Sequence, residues 1–158
     1  MSVSSIDLPA LAQSIKDWGR ELGFAHVGIA GVDLAEHEQH LERWLAAGYH
    51  GEMDYMGAHG SKRSHPDELV PGTVRVVSLR MDYLPGDTQM AQRLAQPEQA
   101  YISRYALGRD YHKLVRKRVQ HLAERIQKEI GPFGFRAFVD SAPVLEKAIA
   151  EQAGLGWI

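Results

Sequence analysis

A long helical stripe in the second half of the chain constrains the fold more than any other feature of the sequence. Between residues 110 and 130 the apolar side chains recur every three or four positions, which places them on one face of an α-helix. These side chains are Tyr111, Leu114, Val115, Leu122, Ile126 and Ile130. Asp110 precedes the stripe as a cap, and Gly131 and Pro132 follow it as stop signals. The pattern predicts the longest helix of the molecule over residues 110–130.

Shorter helical and extended patterns surround this helix in the sequence. The spacing of apolar residues predicts amphipathic helices over residues 8–22 and 34–47, each followed by a glycine. Proline is tolerated in a first helical turn, so a last helix is expected over residues 143–153. Runs rich in β-branched or apolar residues predict strands at 24–30, 73–81, 101–106 and 135–139. We therefore expect one α/β domain, sandwich-like, over residues 1–158, with a small central sheet flanked by helices.

Composition limits the chemistry of the chain. Its 158 residues suit one ordinary domain, and the absence of cysteine excludes a disulfide, a thiolate metal site and a cysteine nucleophile within it. A formal net charge of −2 gives no general reason to expect a nucleic-acid or membrane partner. No apolar run approaches the ~20 residues that span a bilayer, and the first residues do not resemble a signal peptide. We expect a cytoplasmic monomer with no membrane partner.

The segment YISRYALGRDYH, residues 101–112, is the first candidate site. Gly108 permits a tight turn, and the residues around it combine flat aromatic faces with hydrogen-bond donors. They are Arg104, Tyr105, Arg109, Tyr111 and His112. Such a set can bind a large polar ligand, but it also suits an ordinary strand-to-helix corner with tyrosines in the core and arginines in solvent.

The segment FVDSAPVLEK, residues 138–147, is the second candidate. A carboxylate between a strand and a helix is a common position for a catalytic or ligand-binding group, which would make Asp140 functional. The alternative is that Asp140 only satisfies backbone N–H groups at the start of the last helix. A helix N-terminus favours the carboxylate form of such a residue, whereas a dry pocket favours the neutral acid. A proton-donating Asp140 would therefore need a large apolar cover.

Two further patterns are weaker. The side chains of Lys113, Arg116 and Lys117 lie on neighbouring helical turns and could bind phosphate, although such residues more often form a solvated face. Five histidines could in principle supply a zinc site, but their spacing lacks a tight ligand motif, so we expect no metal site. They are His37, His40, His50, His59 and His65.

Four segments together resemble the N-terminal region of epoxyqueuosine reductases. In chain order they are GEMDYM, KRSHPDELVPG, RYALGRDYHKLVRKR and FVDSAPVLEKAIAEQAGLGWI. Their order and spacing are those of that family. The resemblance extends from about residue 8 to residue 158. In the family, the last of these residues lead directly into ferredoxin-like cysteine clusters. The resemblance therefore implies a fragment that stops before the iron–sulfur domain, with a fold similar to the cobalamin domains of reductive dehalogenases.

The resemblance also implies an activity. The family reduces epoxyqueuosine to queuosine in tRNA, with loss of the epoxide oxygen as water, and uses cobalamin and 4Fe–4S clusters. The resemblance implies that Asp140 is the acid that protonates the departing oxygen. It also implies a set of residues that contact the cobalamin. That set is Arg63, Arg104, Tyr105, Tyr111, Asp140, Ser141, Ala142, Gly154, Leu155 and Trp157. Leu107 stands where many members carry a second basic residue, which weakens any phosphate or tRNA contact at that corner.

Two other functions are compatible with the sequence. A stand-alone cobalamin carrier would require that the natural gene end near residue 158. A non-catalytic tRNA-binding domain would bind RNA in a salt-dependent way without cobalamin, and the net charge of −2 counts against it.

Overall fold

The structure is a computed structural model that describes residues 6–156. Six helices and two strands occur in the order α1 (Leu8–Glu21), β1 (His26–Ala30), α2 (Ala35–Ala46), α3 (Pro66–Leu69), β2 (Val76–Arg80), α4 (Met90–Leu94), α5 (Tyr111–Ile130) and α6 (Glu146–Gln152) within these residues. Three 3-10 turns lie between them, at Asp54–Met56, Gly60–Arg63 and Arg104–Ala106.

The sheet consists of β1 and β2, paired antiparallel from His26 opposite Arg80 to Ala30 opposite Val76. Successive side chains of β1 point to opposite faces, as the pleat requires. Val27 contributes to a core formed with α1 and α5, whereas Ala30 contributes to a second core formed with α6. The expected small sheet flanked by helices is therefore confirmed in its coarse form.

The packing of α1 against α5 confirms the longest predicted helices. Ile15 of α1 is buried with Leu122 and Ile126 of α5 in the first core. At the rim the guanidinium of Arg125 lies 4.7 Å from the ring centre of Trp18 and donates to Glu21. Asp7 and Asp110 cap α1 and α5 respectively, through hydrogen bonds from the backbone N–H of Ala10 and of His112.

Two predicted strands are wrong. Residues 101–106 leave Ile102 58% and Tyr105 55% exposed, so they have no buried face, and the backbone closes as a 3-10 turn instead. Residues 135–139 pair with neither β1 nor β2. This segment is fastened to the end of α5, where Gln127 donates to the carbonyl of Phe133 at 2.8 Å. One residue of the predicted helical stripe, Leu114, is also 49% exposed rather than buried.

The last helix begins later than predicted. The expected start was residue 143, whereas α6 begins at Glu146. The backbone N–H of Leu145 donates to the carbonyl of Arg63 at 2.8 Å, and that of Val144 donates to the carbonyl of Ala142 at 2.9 Å. These bonds hold the three preceding residues out of the helix and join them to the loop that follows α2.

Candidate functional site

Asp140 has an unusual backbone conformation. Its φ is 52°, and it is the only non-glycine residue with a positive φ among residues 6–156. The left-handed region is unfavourable for residues with a Cβ atom, although aspartate and asparagine tolerate it better than most. Such outliers are concentrated at functional sites, where the surrounding structure imposes them. The backbone thus singles out the residue that the sequence identified.

A hydrogen bond from α5 defines the position of the Asp140 side chain. The hydroxyl of Tyr111, in the first residue of α5, donates to Oδ2 of Asp140 at 2.5 Å. Since α6 begins six residues after Asp140, the carboxylate does not cap that helix. The alternative in which Asp140 serves only the start of the last helix is therefore wrong. Its hydrogen-bond donor is instead Tyr111, 29 positions away in the sequence.

His112 lies between two carboxylates at the same corner. Its Nδ1 is 2.8 Å from Oδ1 of Asp110, and its Nε2 is 3.6 Å from Oδ2 of Asp140. The imidazole stacks on the ring of Tyr111, with 4.1 Å between centroids and 25° between planes. We call Asp110, Tyr111, His112 and Asp140 the Asp140 cluster. The sequence placed His112 near this corner but gave it no partner.

Aromatic rings extend from the Asp140 cluster across the surface. Tyr105 meets Tyr111 edge to face at 6.4 Å, and Tyr83 meets Tyr105 in the same way at 6.3 Å. Tyr83 is 63% exposed and Tyr105 is 55% exposed, so both present ring surface to solvent. Sequence reasoning missed Tyr83, because it follows β2 and only the fold brings it to Tyr105. The row provides flat apolar surface beside a carboxylate.

The cluster shifts the pKa values of two of its members and of the neighbouring Glu146. The hydrogen bond to Asp140, together with partial desolvation and the negative charge of Asp140, raises the pKa of Tyr111 to about 12. Hydrogen bonds from the side chain and backbone of His112 lower the pKa of Asp110 below its ordinary value. Desolvation of the carboxyl group, followed by the charge of Asp140, raises the pKa of Glu146. Tyr111 therefore remains a hydrogen-bond donor, and Asp110 an acceptor, across the neutral range.

The raised pKa of Tyr111 leads to a titration experiment. A raised pKa in the folded state stabilises the fold below the ordinary value of 10.0, and that contribution is lost as the pH rises through about 12. Ultraviolet absorbance of tyrosinate should therefore show one tyrosine that ionises near pH 12. In Asp140→Asn that tyrosine should ionise closer to its ordinary pH. An unchanged tyrosine titration in the variant would contradict the effect of the charged carboxylate on Tyr111.

Arg63 is committed to the fold of its own loop. Its Nε donates to the carbonyl of Met56 at 2.9 Å, and its Nη2 donates to that of Tyr55 at 2.6 Å. Its backbone carbonyl accepts from Leu145, five residues after Asp140. The loop between α2 and β2 contains two 3-10 turns and α3. The structure thus links Arg63 to the Asp140 segment through the backbone, while the predicted cobalamin contact of its side chain stays a prediction.

Glu38 of α2 anchors the same loop from the other side. Ser64 is 2% exposed, and its hydroxyl lies 2.7 Å from Oε1 of Glu38. Nε2 of His65 is 3.2 Å from Oε2 of the same carboxylate. The hydrogen bond from Ser64, with smaller effects of His65, lowers the pKa of Glu38. A lowered pKa stabilises the fold above the ordinary value of 4.5, and this contribution is lost as the pH falls through the lowered pKa.

Substitution of Ser64 should measure how much its hydrogen bond to Glu38 stabilises the fold. Ser64→Ala removes the buried donor to Glu38 and is expected to lower the free energy of unfolding by about 1–2 kcal/mol. Urea denaturation gives this difference, and hydrogen exchange should quicken at residues 60–65. Ser61→Ala is the matched control, because Ser61 is an exposed serine of the same turn that bonds to Glu68. Equal effects of the two substitutions would contradict the anchoring role.

The remaining predicted site residues lie in different surroundings. Arg104 borders a cavity of about 240 Å³ together with Arg93 and Leu107, and its Nε is buried without a hydrogen-bond partner. Ser141 is exposed and Ala142 is half-buried. The backbone N–H groups of Gly154 and Leu155 donate back to the end of α6. Trp157 lies outside the described residues. The predicted cofactor contacts of all these residues stay predictions.

Two classes of feature are absent from the described part of the chain. Residues 6–156 contain no group of three or more histidine, aspartate or glutamate side chains arranged to hold a metal ion. Over the same residues, no helix combines the length and the apolar character needed to cross a membrane.

Two solved structures have the same fold as this chain. A crystal structure of selenomethionine-labelled epoxyqueuosine reductase matches 96% of this chain and 40% of its own chain, with a TM-score of 0.78 and 19% sequence identity. The epoxyqueuosine reductase structure from Streptococcus thermophilus matches 93% of this chain and 39% of its own, with a TM-score of 0.71 and 23% identity. At these identities the likeness shows a shared fold.

Sequence comparison extends the likeness to a family. The family model described as epoxyqueuosine reductase QueG, DUF1730, matches residues 63–141, a range that includes Arg63 and the whole Asp140 cluster. The chain is 80% identical over 157 residues to an epoxyqueuosine reductase of Pseudomonas aeruginosa, and 57% identical over 152 residues to one of Escherichia coli. The chain belongs to the epoxyqueuosine reductase family. It spans 44% and 40% of the length of these two relatives, respectively.

Proposed function

We propose that this chain is the N-terminal, cobalamin-binding part of an enzyme that reduces epoxyqueuosine to queuosine in tRNA, with Asp140 as its proton donor. The observation that carries the proposal is the imposed left-handed conformation of Asp140 beside Tyr111, within the range matched by the family model. The 4Fe–4S clusters of such an enzyme would be bound outside this chain, which contains no cysteine.

The surface beside Asp140 suits a large, flat ligand with a polar rim. The rings of Tyr83 and Tyr105 present exposed apolar area, which can cover the face or edge of a macrocycle. The buried Nε of Arg104 has no hydrogen-bond partner, so an acceptor on a ligand would satisfy it. A corrin ring with amide side chains offers both kinds of group. When bound, cobalamin would supply the electron transfer that the reduction requires.

The chemistry assigned to Asp140 is proton transfer. Removing an epoxide oxygen as water leaves a carbon–carbon double bond and consumes two electrons and two protons. A carboxylic acid beside the departing oxygen can supply one of these protons as a general acid. The hydroxyl of Tyr111 then stabilises the carboxylate that remains, because it donates to Oδ2. A large ligand over this corner would also exclude water from the proton donor.

A cobalamin titration tests the cofactor assignment. Hydroxocobalamin and cob(II)alamin should each produce a saturable change in absorbance when mixed with the chain. The double variant Arg63→Ala, Tyr105→Ala should lose the change. Tyr105→Ala alone should weaken binding by about fivefold, because an aromatic contact contributes on the order of 1 kcal/mol. Tyr49→Ala is the control, since Tyr49 is 73% exposed at the end of α2.

The outcomes separate two explanations of a negative result. Binding by the longer reductase but not by this chain would mean that the pocket needs the remaining part of the protein. Absence of binding by both would contradict the cobalamin assignment. Equal loss in Tyr49→Ala and Tyr105→Ala would show that the aromatic row does not form the site.

A further inference from the structure

The imidazole of His112 lies between the carboxyl groups of Asp110 and Asp140. Oδ1 of Asp110 lies 2.8 Å from Nδ1, and Oδ2 of Asp140 lies 3.6 Å from Nε2. The first distance is a hydrogen bond, while the second requires a small side-chain movement or one water molecule. About half of each side chain is exposed, so solvent reaches the ring.

Asp110 determines which nitrogen of His112 carries the permanent proton. The same Oδ1 accepts from the backbone N–H of His112 at 3.0 Å, so the carboxylate is fixed as the cap of α5. Its lowered pKa keeps it an acceptor. Nδ1 therefore donates to Asp110, and Nε2 is left to exchange a proton on the side of Asp140.

Tyr111 keeps this arrangement in place. Its ring stacks on the imidazole at 4.1 Å, which restricts rotation of His112. Its hydroxyl donates to Oδ2 of Asp140, the oxygen that also faces Nε2. Both of these contacts are therefore made to the same oxygen of the carboxyl group.

We propose that His112 returns a proton to Asp140 after each transfer. The inference rests on the proposed function, in which Asp140 protonates the departing oxygen. The Nε2–H bond of the imidazolium breaks, the O–H bond of Asp140 forms, and His112 keeps its Nδ1–H. Nε2 then takes the next proton from solvent, and no group changes oxidation state. His112 acts through Asp140 and is a positioning residue that also resupplies a proton.

The charged and titratable groups around this ring come from three segments. The start of α5 and the preceding turn contribute one carboxyl group, one amine and two phenols. The segment that leads into α6 contributes two further carboxyl groups. They are Asp110, Lys113, Tyr105, Tyr111, Asp140 and Glu146. Any pH profile of the site must be interpreted with this whole set.

The first test compares single and multiple turnovers of the complete reductase. In His112→Gln the first turnover should keep its rate, because the proposal assigns His112 only to the return of the proton after each transfer. Steady-state kcat should fall by about 10- to 100-fold, within the usual range for proton transfer by a positioned side chain. KM should not change, and added imidazole should restore turnover.

A second histidine on α5 provides the control for this test. His121→Gln, an exposed histidine on the same α5, should leave every one of these quantities unchanged. An equal loss in the first and later turnovers, or an undiminished steady-state rate, would overturn the proposal. Failure of imidazole to restore turnover would do the same.

A second test does not depend on catalysis. Nitrogen-15 NMR of the histidine rings in this chain should find the neutral form of His112 protonated on Nδ1. Asp110→Asn should mix the two tautomers, and Asp140→Asn should shift the Nε2 signal. A signal that ignores Asp140→Asn would overturn the relay whatever the function of the chain. If the NMR result holds and the Asp140→Asn reductase turns over normally, the proposed donor role is what has failed.

Discussion

Asp140→Asn should abolish turnover in the complete reductase, with a loss of about 10²- to 10⁴-fold, the contribution usual for a general acid. The amide cannot donate an acidic proton to a departing oxygen. Asparagine tolerates the left-handed backbone almost as well as aspartate does, so the φ of 52° can be kept. The amide oxygen can also still accept from the hydroxyl of Tyr111.

Cobalamin binding should survive the same substitution, and this is the internal control. Absorbance titration of the variant should give the wild-type spectral change, while tRNA assays should show no conversion of epoxyqueuosine. Asp140→Ala is a poorer test, because alanine adds backbone strain at a positive φ. Normal turnover by Asp140→Asn would remove the proton-donor role.

Gly28→Ala should have the largest effect on stability. Gly28 is a buried residue of β1, and a Cβ atom there would overlap the carbonyl oxygen of Ala153 and lie 2.7 Å from its Cβ. The neighbour is largely backbone, so it cannot turn aside as a flexible side chain would. We expect the free energy of unfolding to fall by about 3 kcal/mol, near the upper end for overpacking a core.

Gly31→Ala provides the matched control in the same stretch of sequence. A Cβ atom at Gly31 would meet no heavy atom within 4 Å, and this glycine does not have a positive φ. Its free energy of unfolding should change by no more than about 0.5 kcal/mol in the same urea denaturation experiment. Similar values for the two variants would mean that β1 and the end of α6 do not pack as closely as the structure has them.

The helices could be predicted because their signals are local. Periodic apolar residues in α1, α2 and α5 repeat over several turns, and the capping residues Asp7 and Asp110 stand directly before two of them. The strand predictions depended on short apolar runs. The local sequence does not show which other strand, if any, such a run pairs with. Residues 101–106 and 135–139 have such runs but pair with neither β1 nor β2. Their backbone follows a 3-10 turn and the end of α5 instead.

The site was predictable in its residues and not in its contacts. Asp140 and Tyr111 could be named from the sequence, but the hydrogen bond between them joins positions 29 apart. The anchor formed by Glu38 joins α2 to residues 26 and 27 positions later, and no motif indicated it. The late start of α6 has the same origin, since Leu145 bonds to the distant Arg63. Long-range pairing, which needs the fold itself, accounts for each of these differences.

The backbone of Asp140 also has an evolutionary consequence. Most residues with a Cβ atom lose on the order of 1–2 kcal/mol in a left-handed conformation, and glycine does not. A library randomised at position 140 and selected only for folding should therefore drift towards glycine, with asparagine and aspartate next. The same library selected for queuosine formation should return to aspartate. The difference between the two populations would separate what the chain requires of this position from what its chemistry requires.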